Sequence, residues 1–409
     1  MRSPDIGLTL SVITENPMTA QERRTVTALA GLYSFRMLGL FMVLPLLSLY
    51  GTELSGSTAF LLGLALGAYG LAQACLQIPL GLLSDRIGRL PVIVGGLLVF
   101  ALGSLLASGA ESIYGVIWGR FLQGAGAIAS TVMALVADST SNEQRTKAMA
   151  VVGMSIGLSF AISLVLGPLL ASLGGLQLVF LVTAGLAVLG ILVVLLAVPR
   201  TPINRAQDGE VGTVPALIWK AFAEPSLVRL NLSVFTLHFV LMGLFMLVPG
   251  VIESQLELHR DRHWVLYLPV LALSLVGMVP LMILAERKGH LRLAFLVAIA
   301  ALVLAQCGFA GLFGNPGVYL GLWLFFVGFN YLEASLPSLV SKTAASGARG
   351  TALGVFSTFQ FLGAFAGGAI SGWVLQVAGP EGLVQLTMAV LMLWWLSCLT
   401  LRVPQLARI

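Results

Sequence analysis

Apolar residues in this chain neither alternate with polar ones nor keep to one helical face. They fill whole stretches of about twenty residues or more, separated by short polar breaks. A helix needs about 20 apolar residues to cross the hydrocarbon core of a bilayer. Twelve runs meet that length: 26–50, 59–83, 90–110, 113–138, 145–172, 176–198, 227–252, 263–285, 291–313, 316–340, 350–376 and 381–402. The pattern predicts an all-α membrane protein with twelve transmembrane spans. One connection is long, 199–226, and it carries Pro199, Pro202, Pro215 and Pro225 among several charges. The predicted domains are therefore an N-terminal segment 1–25, a six-helix bundle 26–198, a linker 199–226, a second six-helix bundle 227–402 and a tail 403–409. Residues 216–223 fit a short surface helix and a disordered linker equally well.

Composition removes most other classes. The chain is 58% hydrophobic and only 10% charged, against about 25% charged in soluble domains. A soluble enzyme, a nucleic-acid binder and a disordered chain are excluded. Cys75, Cys307 and Cys398 all lie in apolar runs and read as small core residues. No nucleophile–base constellation, metal-ligand cluster or phosphate-binding loop stands out, so the expectation is no enzyme, no metal and no cofactor. The net charge of +5 has a topological origin. Of 22 Lys and Arg, Arg36 and Arg120 fall within spans, and 18 lie at the N-terminus or in alternate loops on the same side. The other side holds only Arg260 and Arg262, diluted by Glu253, Glu257 and Asp261. Basic residues stay cytoplasmic. The asymmetry predicts a bacterial-type inner-membrane protein with both termini cytoplasmic and 253–263 on the far side.

The halves repeat. PLGLLSDRIGRL at 79–90 aligns with PLMILAERKGHL at 280–291, an offset of 201, and RTKA at 145–148 aligns with RGTA at 349–352, an offset of 204. Repeated halves with a site between them are a transporter architecture.

The segment GLLSDRIGR at 81–89 resembles the loop 2–3 motif of the major facilitator superfamily, with Leu90 where a basic residue is common. RFLQGAG at 120–126 resembles the span-4 motif of proton-coupled drug antiporters. The stretch from Gly157 to Gly167-Pro168 resembles the span-5 antiporter motif, with Ser163 for its first glycine and Ala171-Ser172 for its last pair. FRMLGLFMVLP at 35–45, RTKAMA at 145–150 and EASLPSL at 333–339 are similar to the YajR-type drug/proton antiporters of that superfamily. The soluble C-terminal domain of some members has no counterpart here. The resemblance implies a secondary transporter working by alternating access. It also implies that the 81–89 loop holds an outward-open state by contacting span 11.

Physically, Gly81, Asp85, Arg86, Gly88, Arg89 and Asp138 make a candidate latch. An arginine between carboxylates at helix ends can lock bundles together, Gly81 permits close approach and Gly88 a tight turn. In the second copy His290 replaces the arginine, which predicts a weaker latch. Spans 5 and 11 are rich in glycine. Gly157, Gly167 and Pro168, with Gly363 and Gly367, are the candidates for close packing on a moving seam. Charge inside a membrane marks function. Arg36, Arg120, His238 and Glu333 lie on spans 1, 4, 7 and 10, the first of each triplet, so they are candidate proton-coupling residues around one cavity, with Arg36 or Arg120 as the switching partner of Glu333. Gln73, Gln77, Gln123, Asn330, Tyr331 and Gln360 are candidate cavity and substrate residues. Partners are a small-molecule substrate, protons and the lipid bilayer, with no nucleic acid and a monomeric state. The leading expectation is a proton-coupled exporter of lipophilic or drug-like molecules. A metabolite or sugar exporter or facilitator and a lipid-moving transporter are the alternatives.

Overall fold

The computed structural model describes residues 17–199, 222–345 and 348–399, apart from the side chains of Asn142, Glu143 and Thr146. The expectations for most of the N-terminal segment, the linker with its surface helix, and the tail lie outside the described residues. Within them the protein is almost entirely helical. The elements are α1 (Ala20–Met42), α2 (Leu44–Tyr50), α3 (Ala59–Ile87), α4 (Arg89–Ser108), α5 (Ile113–Ala125), α6 (Ala129–Asp138), α7 (Asn142–Ala197), α8 (Pro225–Leu256), α9 (His263–Glu286), α10 (Leu291–Phe309), α11 (Gly314–Thr343) and α12 (Arg349–Cys398).

Local chemistry sets the boundaries. Thr19 and Glu22 form a reciprocal capping box that starts α1. Thr58 caps α3 by accepting from the Leu61 amide at 3.2 Å. Pro45 sits in the first turn of α2, so α1 and α2 form one apolar stretch with a joint at Val43. The α5–α6 pair is jointed at Gly126.

Ten stretches are long and apolar enough to cross a membrane. Two of them cannot be single spans. α7 has 56 residues and α12 has 50, about 84 and 75 Å of helix against a hydrocarbon core of about 30 Å. Each breaks once: α7 at Gly174 and Gly175, α12 at Gly379, where the backbone angles are non-helical. Gly379 is followed by Pro380, which has no amide hydrogen to continue a helix. Each break leaves an apolar stretch of span length on both sides, among the described residues.

In the first half of the chain α1 packs along α7, and α5 lies against α3 and α4. In the second half α8 packs against α12, and α11 against α10 and α9. The halves meet where α12 lies on α3, α9 on α7 and α2 on α8. Leucines exposed in rows, such as Leu102, Leu105 and Leu106 on α4 and Leu192, Leu195 and Leu196 on α7, face the lipid side. Cys398 is buried, but Cys75 is exposed. The expectation of three core cysteines therefore fails at Cys75, because α3 turns that position outward.

The α3–α12 seam is built from backbone on backbone. A Cβ on Gly63 would overlap the Gly368 carbonyl oxygen, one on Gly67 would meet the Phe365 oxygen at 2.7 Å, and one on Gly372 the Ala59 oxygen at 2.5 Å. Gly363 and Gly367 instead seat Phe235 and Phe239 of α8, inside their own half, and Gly167 seats Met42. Gly157 departs from its expected packing role: nothing lies within 4 Å of its would-be Cβ, nor of those of Gly153 and Gly354. These three glycines lie toward the face onto which the loops with Arg89, Arg287 and Lys342 project, the basic face. Each of the three has open space where a side chain would begin.

Candidate functional site

Three helices of the second half place polar side chains at one level. His238 on α8, Glu333 on α11 and Gln360 on α12 lie about 15–20 Å along their helices from the basic face. The Gln360 amide nitrogen is 2.9 Å from His238 Nε2 and 3.2 Å from Glu333 Oε1. His238 Nε2 is 3.8 Å from Glu333 Oε2, and its Nδ1 is 3.1 Å from the Val234 carbonyl oxygen. The His238 side chain is 11% exposed and that of Glu333 is 38% exposed. The Glu333 side chain is thus partly exposed, although its Oε2 is buried, while the imidazole is nearly enclosed.

The first half holds a cationic counterpart. Arg36 is fully buried and donates to Gln73 Oε1 at 2.8 Å and to the Gly126 oxygen at 3.3 Å. Gln73 in turn donates to Gln77 at 2.8 Å. Arg120, 1% exposed, donates to Gln123 Oε1 at 2.9 Å, and Gln123 donates to Ser104 at 2.8 Å. Both guanidinium groups lie over the Tyr69 ring, at 5.8 and 5.3 Å. These partners belong to the first half. In this conformation the described partners of Arg36 and Arg120 are not Glu333, and the expected switching of one of them against it concerns a second conformation. Both arginines turn into their own bundle, and the group facing Glu333 is His238, bridged by Gln360.

Two other cavity candidates turn away from this cluster. Asn330 donates to Ser274 of α9 at 3.0 Å. Tyr331 is buried with its ring edge-on to Phe295 of α10. On the far side of Glu333 from the basic face, Phe160 of α7 inserts among Phe245, Phe326 and Phe329 of the second half and meets Phe41 edge-on at 5.1 Å. His238 packs edge-on to Phe329.

On the basic face, Arg89 pairs with Asp85, with Asp138 at 3.0 Å, and with Ser84 Oγ at 2.6 Å. Gly88 has φ +97°, a left-handed value that lets α3 turn directly into α4. A Cβ on Gly81 would touch Ser130 Oγ at 3.2 Å, and Arg86 is exposed. Each of these partners is in the first half, so in this conformation the candidate latch braces α3, α4 and α6 and does not reach α12. In the second copy Gly289 repeats the positive φ, at +69°, while the His290 ring sits 2.6 Å from the Lys288 carbonyl oxygen in place of an arginine pair.

The opposite face carries a clamp that the sequence reading missed. Tyr50 donates to Asp261 at 2.6 Å, and Arg260 donates to Glu53 at 2.7 Å while lying 4.2 Å over the Tyr50 ring. Ser48 donates to the Phe245 oxygen, and the Phe60 amide to Gln376. All four hydrogen bonds join the two halves. The available signal is Tyr50 and Glu53 at the end of one span and Arg260 and Asp261 in a loop on the same side, whose charges are complementary.

Residues 29–368 match the Major Facilitator Superfamily. The chain is 45% identical over 387 residues to the inner membrane transport protein YajR of Escherichia coli (strain K12), covering 93% of this chain and 83% of that one. It is 29% identical to the multidrug resistance protein MdtH of Aeromonas hydrophila subsp. hydrophila, over 91% of this chain and 94% of that one. Among solved structures, the human organic anion transporter MFSD10 (TETRAN) superposes with a TM-score of 0.66 at 22% identity, over 92% of this chain and 99% of that one.

Proposed function

The chain belongs to the Major Facilitator Superfamily and is an integral membrane transporter of small molecules; from that premise we propose that it is a proton-coupled exporter of lipophilic or drug-like solutes. The observation that carries the coupling is the His238–Gln360–Glu333 cluster. It joins two titratable groups and an amide on three different helices, with the Glu333 side chain partly exposed and the imidazole enclosed. A site whose neighbours and water access change between two conformations takes up a proton in one and releases it in the other. The similarity to a protein named for multidrug resistance supports a drug-like substrate.

In this reading the basic face is cytoplasmic, as the asymmetry of Lys and Arg requires. The clamp at Tyr50 and Arg260 then closes the far side, and the conformation described is inward-open. Two six-helix domains, 26–198 and 227–402, rock about the α3–α12 seam, and the protein acts as a monomer. The Asp85–Arg89–Asp138 network engages α12 when the basic face closes.

Purified protein in liposomes tests this. With an imposed pH gradient, a panel of lipophilic cations, anions and sugars is expected to yield gradient-driven accumulation of lipophilic solutes. Glu333→Gln abolishes that accumulation and retains downhill exchange. Uphill transport by Glu333→Gln with an unchanged pH dependence refutes the coupling site. For orientation, single cysteines at Arg205 and His259, in a background without the native cysteines, are labelled by an impermeant reagent from opposite sides. Same-side labelling refutes the topology.

A further inference from the structure

The geometry points to Gln360 as a positioning residue that senses the charge state of His238 and Glu333 and passes it to α12. This inference rests on the proton-coupled reading of the same cluster and adds the part that converts a proton into movement.

The hydrogen-bond inventory is restrictive. A carbonyl oxygen only accepts, so His238 Nδ1, 3.1 Å from the Val234 oxygen, carries a hydrogen. In the neutral ring Nε2 is then a bare acceptor. The carboxylate of Glu333 is also an acceptor. Only the NH₂ end of an amide, with two hydrogens, satisfies both at 2.9 and 3.2 Å. The arrangement fits neutral His238 with ionised Glu333, and in that state Gln360 ties α12 to α8 and α11.

One added proton breaks this tie. Protonation at Nε2 turns the acceptor into a donor, and the amide nitrogen then faces another N–H. Turning the amide over puts its oxygen against the Glu333 carboxylate, which pairs two acceptors. The arrangement that leaves neither charge unpaired brings imidazolium directly onto Glu333 Oε2. That oxygen lies 3.8 Å from Nε2 and is buried without a hydrogen-bond partner. The direct pair displaces Gln360. A second proton, on Glu333, makes both groups donors, and Gln360 returns with its oxygen inward. Zero and two protons hold α12; one proton frees it.

Freeing α12 matters because of what surrounds Gln360 on that helix. Phe361 meets the Tyr69 ring of the first half at 6.1 Å, and Gly368 and Gly372 are seated on α3. The other charged side chains of the surrounding helices lie at a distance along them from the cluster. Arg229 on α8, Lys342 on α11 and Arg349 on α12 lie nine or more residues away along their helices. On α9, which packs on α11, Glu286 is at the basic-face end. α7 brings Phe160 close and has no charged residue from 148 to 197. α1 contributes Arg36, which is held by Gln73 and Gly126, and Asp85 and Arg86 of α3 lie at its basic-face end.

The test uses the full chain in lipid nanodiscs and liposomes. Spin labels at Ile87 and Arg349 read the separation of α3 and α12 at the basic face between about pH 5 and 8. The parent protein shows a pH-dependent change in that distance. Gln360→Met, similar in length and without hydrogen bonds, is expected to lose the pH response of the distance and to lose gradient-driven accumulation by about tenfold. Gln360→Glu, which adds a titrating group at the same place, is expected to displace the midpoint of the distance response. It serves also if Gln360→Met does not fold. If Gln360→Met keeps the parent pH response while Glu333→Gln loses it, Gln360 is only a neighbour: this inference falls and the coupling reading stands. If both variants keep the response, the coupling reading falls too. An unchanged midpoint in Gln360→Glu also overturns the inference.

Discussion

The two ends of the molecule use similar chemistry on different sides of the seam. Near the opposite face the arginine of the clamp, Arg260, reaches from one half to Glu53 and Tyr50 of the other, and glycines of α3 and α12 bring backbones into contact. At the basic face the arginine of the loop, Arg89, keeps to Asp85, Asp138 and Ser84 within its own half, and Gly153, Gly157 and Gly354 have open space where a Cβ would stand. An ion pair or a glycine stripe therefore does not by itself say which end is shut. What decides is whether the partner belongs to the same half. A latch without a cross-half partner is a brace, and the same residues become a lock only when the conformation supplies the other side.

Identical substitutions at the two ends separate these cases most sharply. Gly63→Ala forces α3 away from the Gly368 carbonyl, with no flexible side chain to yield. It is expected to destabilise the closed end by about 1–3 kcal/mol, seen as a lower thermal midpoint in detergent and a wider distance across the opposite face. Next, Arg260→Ala removes an ion pair and a cation–π contact at once. A shift of about 1 kcal/mol toward opening of that face is expected, and a double-mutant cycle with Glu53→Ala measures the cross-half part. A coupling of zero would mean the clamp does not hold the halves together. Arg89→Ala is expected to change the stability of this conformation by only about 0.5 kcal/mol. On the proposed latch reading it is expected to lower transport while expression is kept, because the cross-half role would belong to the other state; unchanged distances at the basic face would refute that role. The smallest effect, of opposite sign, comes from Gly157→Ala. With open space at its Cβ and helix propensity improved, it is expected to raise stability by a few tenths of a kcal/mol. A destabilisation comparable to Gly63→Ala would show that the basic face is packed after all.

Much of the fold was legible because a bilayer leaves few options. Backbone groups in hydrocarbon must pair internally, so length and apolarity alone mark a helix. The runs ending at 172 and 376 and resuming at 176 and 381 bracket the breaks at Gly174–Gly175 and Gly379–Pro380. The site was legible in its members but not in its pairing. His238, Glu333 and Gln360 stand out as polar residues in apolar runs, and sequence position gives their depth. It does not give the direction in which each side chain leaves its helix. Arg36 and Glu333 share the first position of their triplets, yet Arg36 turns inward to Gln73 and Tyr69. The clamp escaped for a related reason. A Tyr50–Asp261 or Glu53–Arg260 pair spans about half the chain, and loop composition carries no record of which loops touch.

Phe160 has a consequence for energy conservation. It is one ring of the first half set among three rings of the second, on the far side of Glu333 from the basic face. Water cannot thread a cluster of phenylalanine rings in contact, and without a water file a proton has no conductor. On the proposed proton-coupled reading, a proton that reaches Glu333 from the basic face would meet an insulator and return the way it came. Parting of the halves, which would withdraw Phe160 from Phe245, Phe326 and Phe329, would expose the carboxylate to the other compartment. The ring cluster would then act as the dielectric of a switch, keeping the membrane from short-circuiting through the protein between strokes.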